Sequence, residues 1–130
     1  MKRALFIACL GLSLAALGGC VQPRVAPSGL IDVAERPAEK ALLAGLRAYD
    51  DAQYPTAEKQ LQTALQAGLV SPRDRAAAHK HLAFILCTSN RATECEAEFR
   101  AARAADPAFA LSKSGAGHPL WGPVYRRVQP

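Results

Sequence analysis

The chain lacks any apolar run of about 20 residues, the length that a membrane-spanning helix needs. It has no tract of five or more Lys or Arg, and its cations alternate with Glu and Asp. That pattern argues against nucleic-acid binding. No Cys-x-x-Cys pair is present, which argues against a redox-catalytic protein. There is neither a Gly-rich phosphate loop nor a Ser nucleophile elbow. His79 and His81 are two apart, so on a helix they point to nearly opposite sides and cannot share one ion. Neither has an acidic residue or Cys at i+4. These absences lead to the expectation of a non-enzymatic protein without cofactor or metal.

What is present begins at the N-terminus. Lys2 and Arg3 precede an apolar run from Ala4 to Leu17, followed by Gly18, Gly19 and Cys20. A basic start, a short apolar stretch and small residues at a cut site make a secretory signal. With Cys20 placed directly after them, Leu17-Gly18-Gly19-Cys20 resembles the lipobox of bacterial lipoproteins. The resemblance implies cleavage of residues 1–19, a diacylglycerol thioether on Cys20 and an acylated new N-terminus. Val21 stands where Asp would resemble an inner-membrane retention signal, so the expectation is an outer-membrane anchor facing the periplasm.

Lys2 and Arg3 leave with the signal, taking the formal net charge from +5 to +3. Of the four cysteines, Cys9 also leaves and Cys20 carries lipid. Cys87 and Cys95 remain, in a compartment where disulfides persist, and they are expected to bond.

Val21 to Pro37 holds three Pro and one Gly, and residues 20–37 read as a lipidated Cys with an extended tether. The rest reads as helical. Pro37 suits a first helical turn, and Pro55 punctuates the chain. Ala57, Leu61, Ala64 and Leu65 then repeat along one helix face. Ser71-Pro72-Arg73-Asp74 carries an N-cap, a first-turn Pro and a carboxylate three residues on. Leu82, Ile85 and Leu86 mark the next face, and Thr88-Ser89-Asn90 breaks that helix. Cys95, Phe99 and Ala102 give the last stripe before Asp106-Pro107.

Four helices in two hairpins prompt a search for repeats. Leu82-Ala83, Leu86, Asn90, Cys95, Phe99, Ala102 and Pro107 follow the offsets of a tetratricopeptide (TPR) repeat, which the stretch Ala76–Pro107 resembles. Gly45, Tyr54, Ala57, Leu61 and Ala64 follow them in the earlier hairpin, although its closing Pro is displaced to Pro72. The spacing from Ala57 to Cys95 exceeds the usual TPR period of about 34 residues, so a few extra residues are expected at Gly68–Ser71. The fold expected is all-α: a TPR-like pair of hairpins over 38–107 with a capping segment over 108–130.

Two repeats are fewer than a stable array usually needs, so the last helix requires a cover, from this chain or a second copy. Phe109, Leu111, Leu120, Trp121, Val124, Tyr125 and Val128 are the candidate cover. Phe109–Leu111 is expected to begin a short helix, with Gly115-Ala116-Gly117 turning the chain before the Trp segment. By the repeat alignment Leu42, Leu46, Lys80 and Phe84 would line a concave groove for a protein partner. Trp121 reads first as an anchor of the cap and second as a partner contact. Glu94, Glu96 and Glu98 read as a charged solvent face, with Arg91 or Arg100 as partners.

The lipobox, the TPR-like hairpin with its two Cys, Ala83-Phe84-Ile85-Leu86-Cys87 and Gly117-His118-Pro119-Leu120-Trp121-Gly122-Pro123-Val124 together resemble a narrower group. They are similar to the small TPR-like lipoproteins beside type VI secretion systems (TssQ-like). The resemblance implies an accessory scaffold that contacts envelope subunits of that machine. Alternatives are a pilotin-like assembly lipoprotein or a regulator of cell-wall enzymes.

Overall fold

A computed structural model describes residues 29–130, and the expected signal and lipid site at Cys20 lie outside them. All regular structure among the described residues is helical: α1 (Leu30–Ala34), α2 (Pro37–Asp50), α3 (Tyr54–Ala67), α4 (Pro72–Thr88), α5 (Ala92–Ala105), α6 (Lys113–Ala116) and α7 (Gly122–Arg127). The expectation of an all-α chain holds.

Local chemistry sets these boundaries. Pro37, Pro55, Pro72 and Pro123 each occupy the first or second position of a helix, where a missing N–H costs nothing. The Ser71 hydroxyl accepts the Asp74 N–H at 3.2 Å and starts α4. Arg75 donates to the carbonyls of Leu69 and Val70 at 2.9 and 2.8 Å, tying down the link that enters α4.

The helices pair as α2 with α3 and α4 with α5, and α3 and α2 both touch α4. The two pairs repeat one another at one constant offset: Asp50 and Thr88 end the first helices, Tyr54 and Ala92 start the second, and Ala67 and Ala105 end them. Their links match in detail. Ala52 and Asn90 sit in the left-handed region at φ 57° and 58°. The next residues, Gln53 and Arg91, have ψ 61° and 59° and donate N–H to Ala48 and Leu86 at 2.8 and 2.9 Å. Asn tolerates this backbone better than Ala does, so the first link bears the greater strain. The extra length expected at Gly68–Ser71 falls largely elsewhere: α4 has 17 residues against 14 in α2, α3 and α5. Ser71 caps α4 a turn early, so the helix absorbs most of the insertion.

The interior uses small residues to bring helices together. Ala57, Ala64, Ala78, Ala83, Cys95 and Ala102 are fully buried beside Leu61, Leu82, Ile85 and Phe99. Gly45 is the tightest point. A Cβ there would lie 2.8 Å from Leu61 Cγ and 3.1 Å from the Leu61 backbone N, so only Gly permits this approach of α2 and α3. The second pair is closed covalently. Cys87 and Cys95 form the expected disulfide, with Cα atoms 5.2 Å apart, between the last turn of α4 and the first of α5.

Several expectations need correction. The stretch read as an extended tether contains α1, because Asp32 accepts the Gly29 N–H at 3.2 Å and residues 30–34 hold no Pro. Phe109–Leu111 does not begin a helix either. The Leu111 N–H donates to the Tyr125 hydroxyl oxygen at 3.0 Å, and the Ser112 hydroxyl caps the next residues, so α6 starts at Lys113. Gly115 and Ala116 lie inside α6, and the turn falls after them. α7 then packs on α5, with Val124, Tyr125 and Val128 buried. Arg103 donates to the Val128 carbonyl at 2.7 Å and Arg127 to Glu96 at 3.1 Å. Leu120, expected in this apolar cover, is 54% exposed.

Two stability outcomes follow. Gly45→Ala gains helix propensity of about 1 kcal/mol but overpacks a fully buried contact, for a net loss of about 1–2 kcal/mol in urea unfolding. Replacing Cys87 and Cys95 by Ala lowers stability by about 2–3 kcal/mol in the loop-entropy account. In a domain of this size that is a fall in Tm of about 10–20 °C by calorimetry.

Candidate functional site

The aromatic residues that do not enter the core collect along one side of the molecule. Tyr49 of α2 lies edge-on to Tyr54 and to His81, with ring centres 5.7 and 5.0 Å away. His81 in turn meets Phe84 at 6.0 Å. Phe84 stacks on Trp121 at 4.3 Å, and His118 lies parallel to Trp121 on its own side at 3.3 Å. Phe84 also touches buried Phe99, whose ring meets Tyr125, so the surface row is anchored to the interior.

Helical periodicity puts these residues in line. Leu42, Leu46 and Tyr49 share a stripe on α2, and Lys80, Phe84 and Cys87 occupy the equivalent places on α4. Phe84 stands off the buried Leu82–Ile85–Leu86 face, as its position in the sequence implied. The indole N–H of Trp121 donates to the Gly115 carbonyl at 3.0 Å. His118 Nδ1 accepts the Leu120 N–H at 3.2 Å, which fixes the imidazole. With rings stacked on Trp121 and its N–H satisfied, this residue joins the C-terminal cap to α4. Gly122 makes the geometry attainable, since a Cβ there would meet the Ala116 carbonyl oxygen at 2.5 Å.

The four residues expected to line one groove are divided between two clefts. Leu42 and Leu46 face a cleft of about 270 Å³ beside α1, with Glu39 and Asp74 at its edge. Leu42 is itself part of the buried core. Lys80 and Phe84 face a cleft of about 380 Å³ against the C-terminal segment, with Ser112, Ser114, His118 and Trp121. Equivalent positions of the repeat therefore have different covers: α1 for the first, the α6–α7 cap for the second. Cys20 lies outside the described residues. The sequence offered no direct signal for Tyr49 or His118 as members of this row. Their ring partners sit on other elements.

No protein family, curated protein or solved structure matches this chain. The reading of the site therefore rests on its own geometry.

The charged groups around it have specific partners. His79 Nδ1 is 2.6 Å from Glu98 Oε2, joining α4 to α5. His81 Nδ1 faces the Ala77 carbonyl at 2.7 Å. The two imidazoles thus point to different neighbours. Arg91 bridges Glu94 and Glu58 at 2.6 and 2.8 Å, and those bonds raise its pKa above the ordinary Arg value and hold Glu94 below the usual carboxylate range. Arg100 and Arg127 share Glu96 and lower its pKa in the same way. Of the pairs expected on this face, Arg91 with Glu94 forms. Arg100 takes Glu96, and Glu98 takes His79.

Lys80 differs from these cations. Its ammonium lies 6.0 Å from the centre of the Phe84 ring, and burial lowers its pKa from the ordinary Lys value. Burial likewise pushes the His81 imidazole down. Nearby Lys80 adds to that shift, while the Ala77 carbonyl and Asp50 oppose it.

The His81 shift has a stability consequence with a definite sign. The unfolded chain takes up the His81 proton near pH 6.5, the folded chain only at lower pH. Its contribution is complete above that value and is lost as pH falls toward the folded pKa. His81→Asn removes this term. In urea unfolding between about pH 7.5 and about pH 5.5, wild type should lose more stability than the variant does.

Proposed function

We propose that this protein is a lipid-anchored, non-catalytic scaffold of the bacterial cell envelope, built from two TPR-like hairpins and accessory to a type VI secretion complex. Cys20 carries the lipid in this reading, and the domain faces the periplasm from the outer membrane. The observation that carries it is the repetition of hairpin, link and buried positions at one constant offset, in which equivalent first-helix residues face two clefts. Helical repeats of this kind hold extended segments of other proteins against their first helices. The lipobox-like start and the Gly117–Val124 ending supply the link to secretion-associated lipoproteins. Lys80, Phe84 and Trp121 are the partner-contact residues of this reading, with Leu42 and Leu46 in the other cleft.

The test is crosslinking in the producing cell, purification through a C-terminal tag and mass spectrometry, with Cys20→Ala beside wild type. Secretion-system envelope subunits should be captured by wild type and lost without the lipid site. Capture of subunits from another outer-membrane complex would assign the protein to pilotin-like assembly, and capture of wall enzymes to their regulation.

A further inference from the structure

The cleft between α4 and the C-terminal cap sets one cation, Lys80, among aromatic side chains. Lys80 stands half-buried at its edge over the Phe84 ring, and it forms no ion pair among the described residues. Residues 107–130 contain no Asp or Glu, but they carry Lys113, Arg126 and Arg127. Among the described residues only Arg127 of these meets a carboxylate, that of Glu96, whereas Arg126 donates to the Ala116 carbonyl. None of these three lines the cleft, and Arg127 lines a separate one with Glu96, so Lys80 is the cation that the cleft itself presents, beside the Phe84, Trp121 and His118 side chains. A partly desolvated cation is stabilised by a carboxylate brought close to it.

The opposite character is found on α1. Leu30 and Ile31 are 91% and 78% exposed, the two most exposed large apolar side chains among the described residues. They are followed at once by Asp32 and, one turn on, by Glu35. Glu35 has only a long 3.9 Å contact with Lys40, both side chains being largely in solvent. Leu30, Val33 and Ala34 of α1 line one wall of the first cleft, with Glu39 and Asp74 also in its lining, while Ile31 and Glu35 do not line it.

We propose that the α1 segment of one copy docks in the Lys80–Phe84–Trp121 cleft of a second copy. Leu30 and Ile31 would lie against Leu111 and the ring edges of Phe84, Trp121 and His118, and Asp32 or Glu35 would meet Lys80. Each copy has one donor segment and one acceptor cleft, at different places on its surface. The contact is therefore head-to-tail, and it builds rings or open arrays rather than closed two-fold dimers. A concave cleft of about 380 Å³ suits one short segment better than a flat surface. This inference fills the same cleft that the scaffold reading gives to a partner, but it does not need that partner to be a secretion subunit.

The test uses the full-length protein in the cell, with a photocrosslinking amino acid at position 31 and two differently tagged copies. The expected product joins both tags, with the crosslink mapping to the segment around Lys80 or to residues 112–121. Lys80→Glu should lower its yield roughly tenfold, since like charges across a contact are strongly unfavourable. Lys80→Glu combined with Asp32→Lys and Glu35→Lys should restore it. Leu30→Ser, at a position that the fold leaves in solvent, should lower the yield without changing the thermal melt. The proposal is overturned by any of three results: no product joining both tags, a crosslink mapping elsewhere, or a yield indifferent to Lys80→Glu. A crosslink from position 31 to a different protein, with none between copies, also overturns it and leaves the scaffold reading standing.

Discussion

The fold depends on how closely paired helices can approach. In the first hairpin that approach is set by Gly45, which lets Leu61 seat against the α2 backbone with no side chain between. In the second, the equivalent pair is Ala83 and Phe99, both fully buried, and the approach is completed by the Cys87–Cys95 bond. A larger residue at either small position would push the helices apart and open the interior around Leu61 or Phe99. Close packing of this kind transmits strain because the interior has no slack to absorb it.

That spacing also places the surface chemistry. Phe99 holds Phe84 on one side and Tyr125 on the other, so its position decides where the α6–α7 segment meets α4. The Tyr125 hydroxyl then takes the Leu111 amide, and Trp121 comes to rest between Phe84 and His118. The cap is thus assembled from the core outward. It leaves Lys80 at the edge of one cleft, while α1 lines the other.

The two hairpins match in length and link, yet their clefts differ. Leu42 and Leu46 occupy the places in the first hairpin that Lys80 and Phe84 occupy in the second. The apolar pair is absorbed toward the core and partly covered by α1. The cationic and aromatic pair cannot be buried as readily, because a Lys without a partner resists desolvation. It therefore remains at the edge of an open cleft, where a charged segment can reach it.

Much of this was legible in the residues alone. Helix starts at Pro37 and Ser71–Pro72, the break at Asn90, the spacing between the two hairpins and the Cys87–Cys95 pairing all depend on local caps, backbone preference or short loops, which neighbouring residues determine. One error, the missed α1, was local, through the Gly29–Asp32 bond; the others fell where distant groups compete. Phe109–Leu111 has an apolar composition that suits a helix, yet the Tyr125 hydroxyl, far along the chain, takes its amide. His79 and Glu98 meet across two helices, and Trp121 finds Phe84 across the cap. Tertiary structure alone decided the two clefts and the charge at each, because a side chain's neighbours across a helix contact depend on how closely the backbones approach, and no periodicity along the sequence records that distance.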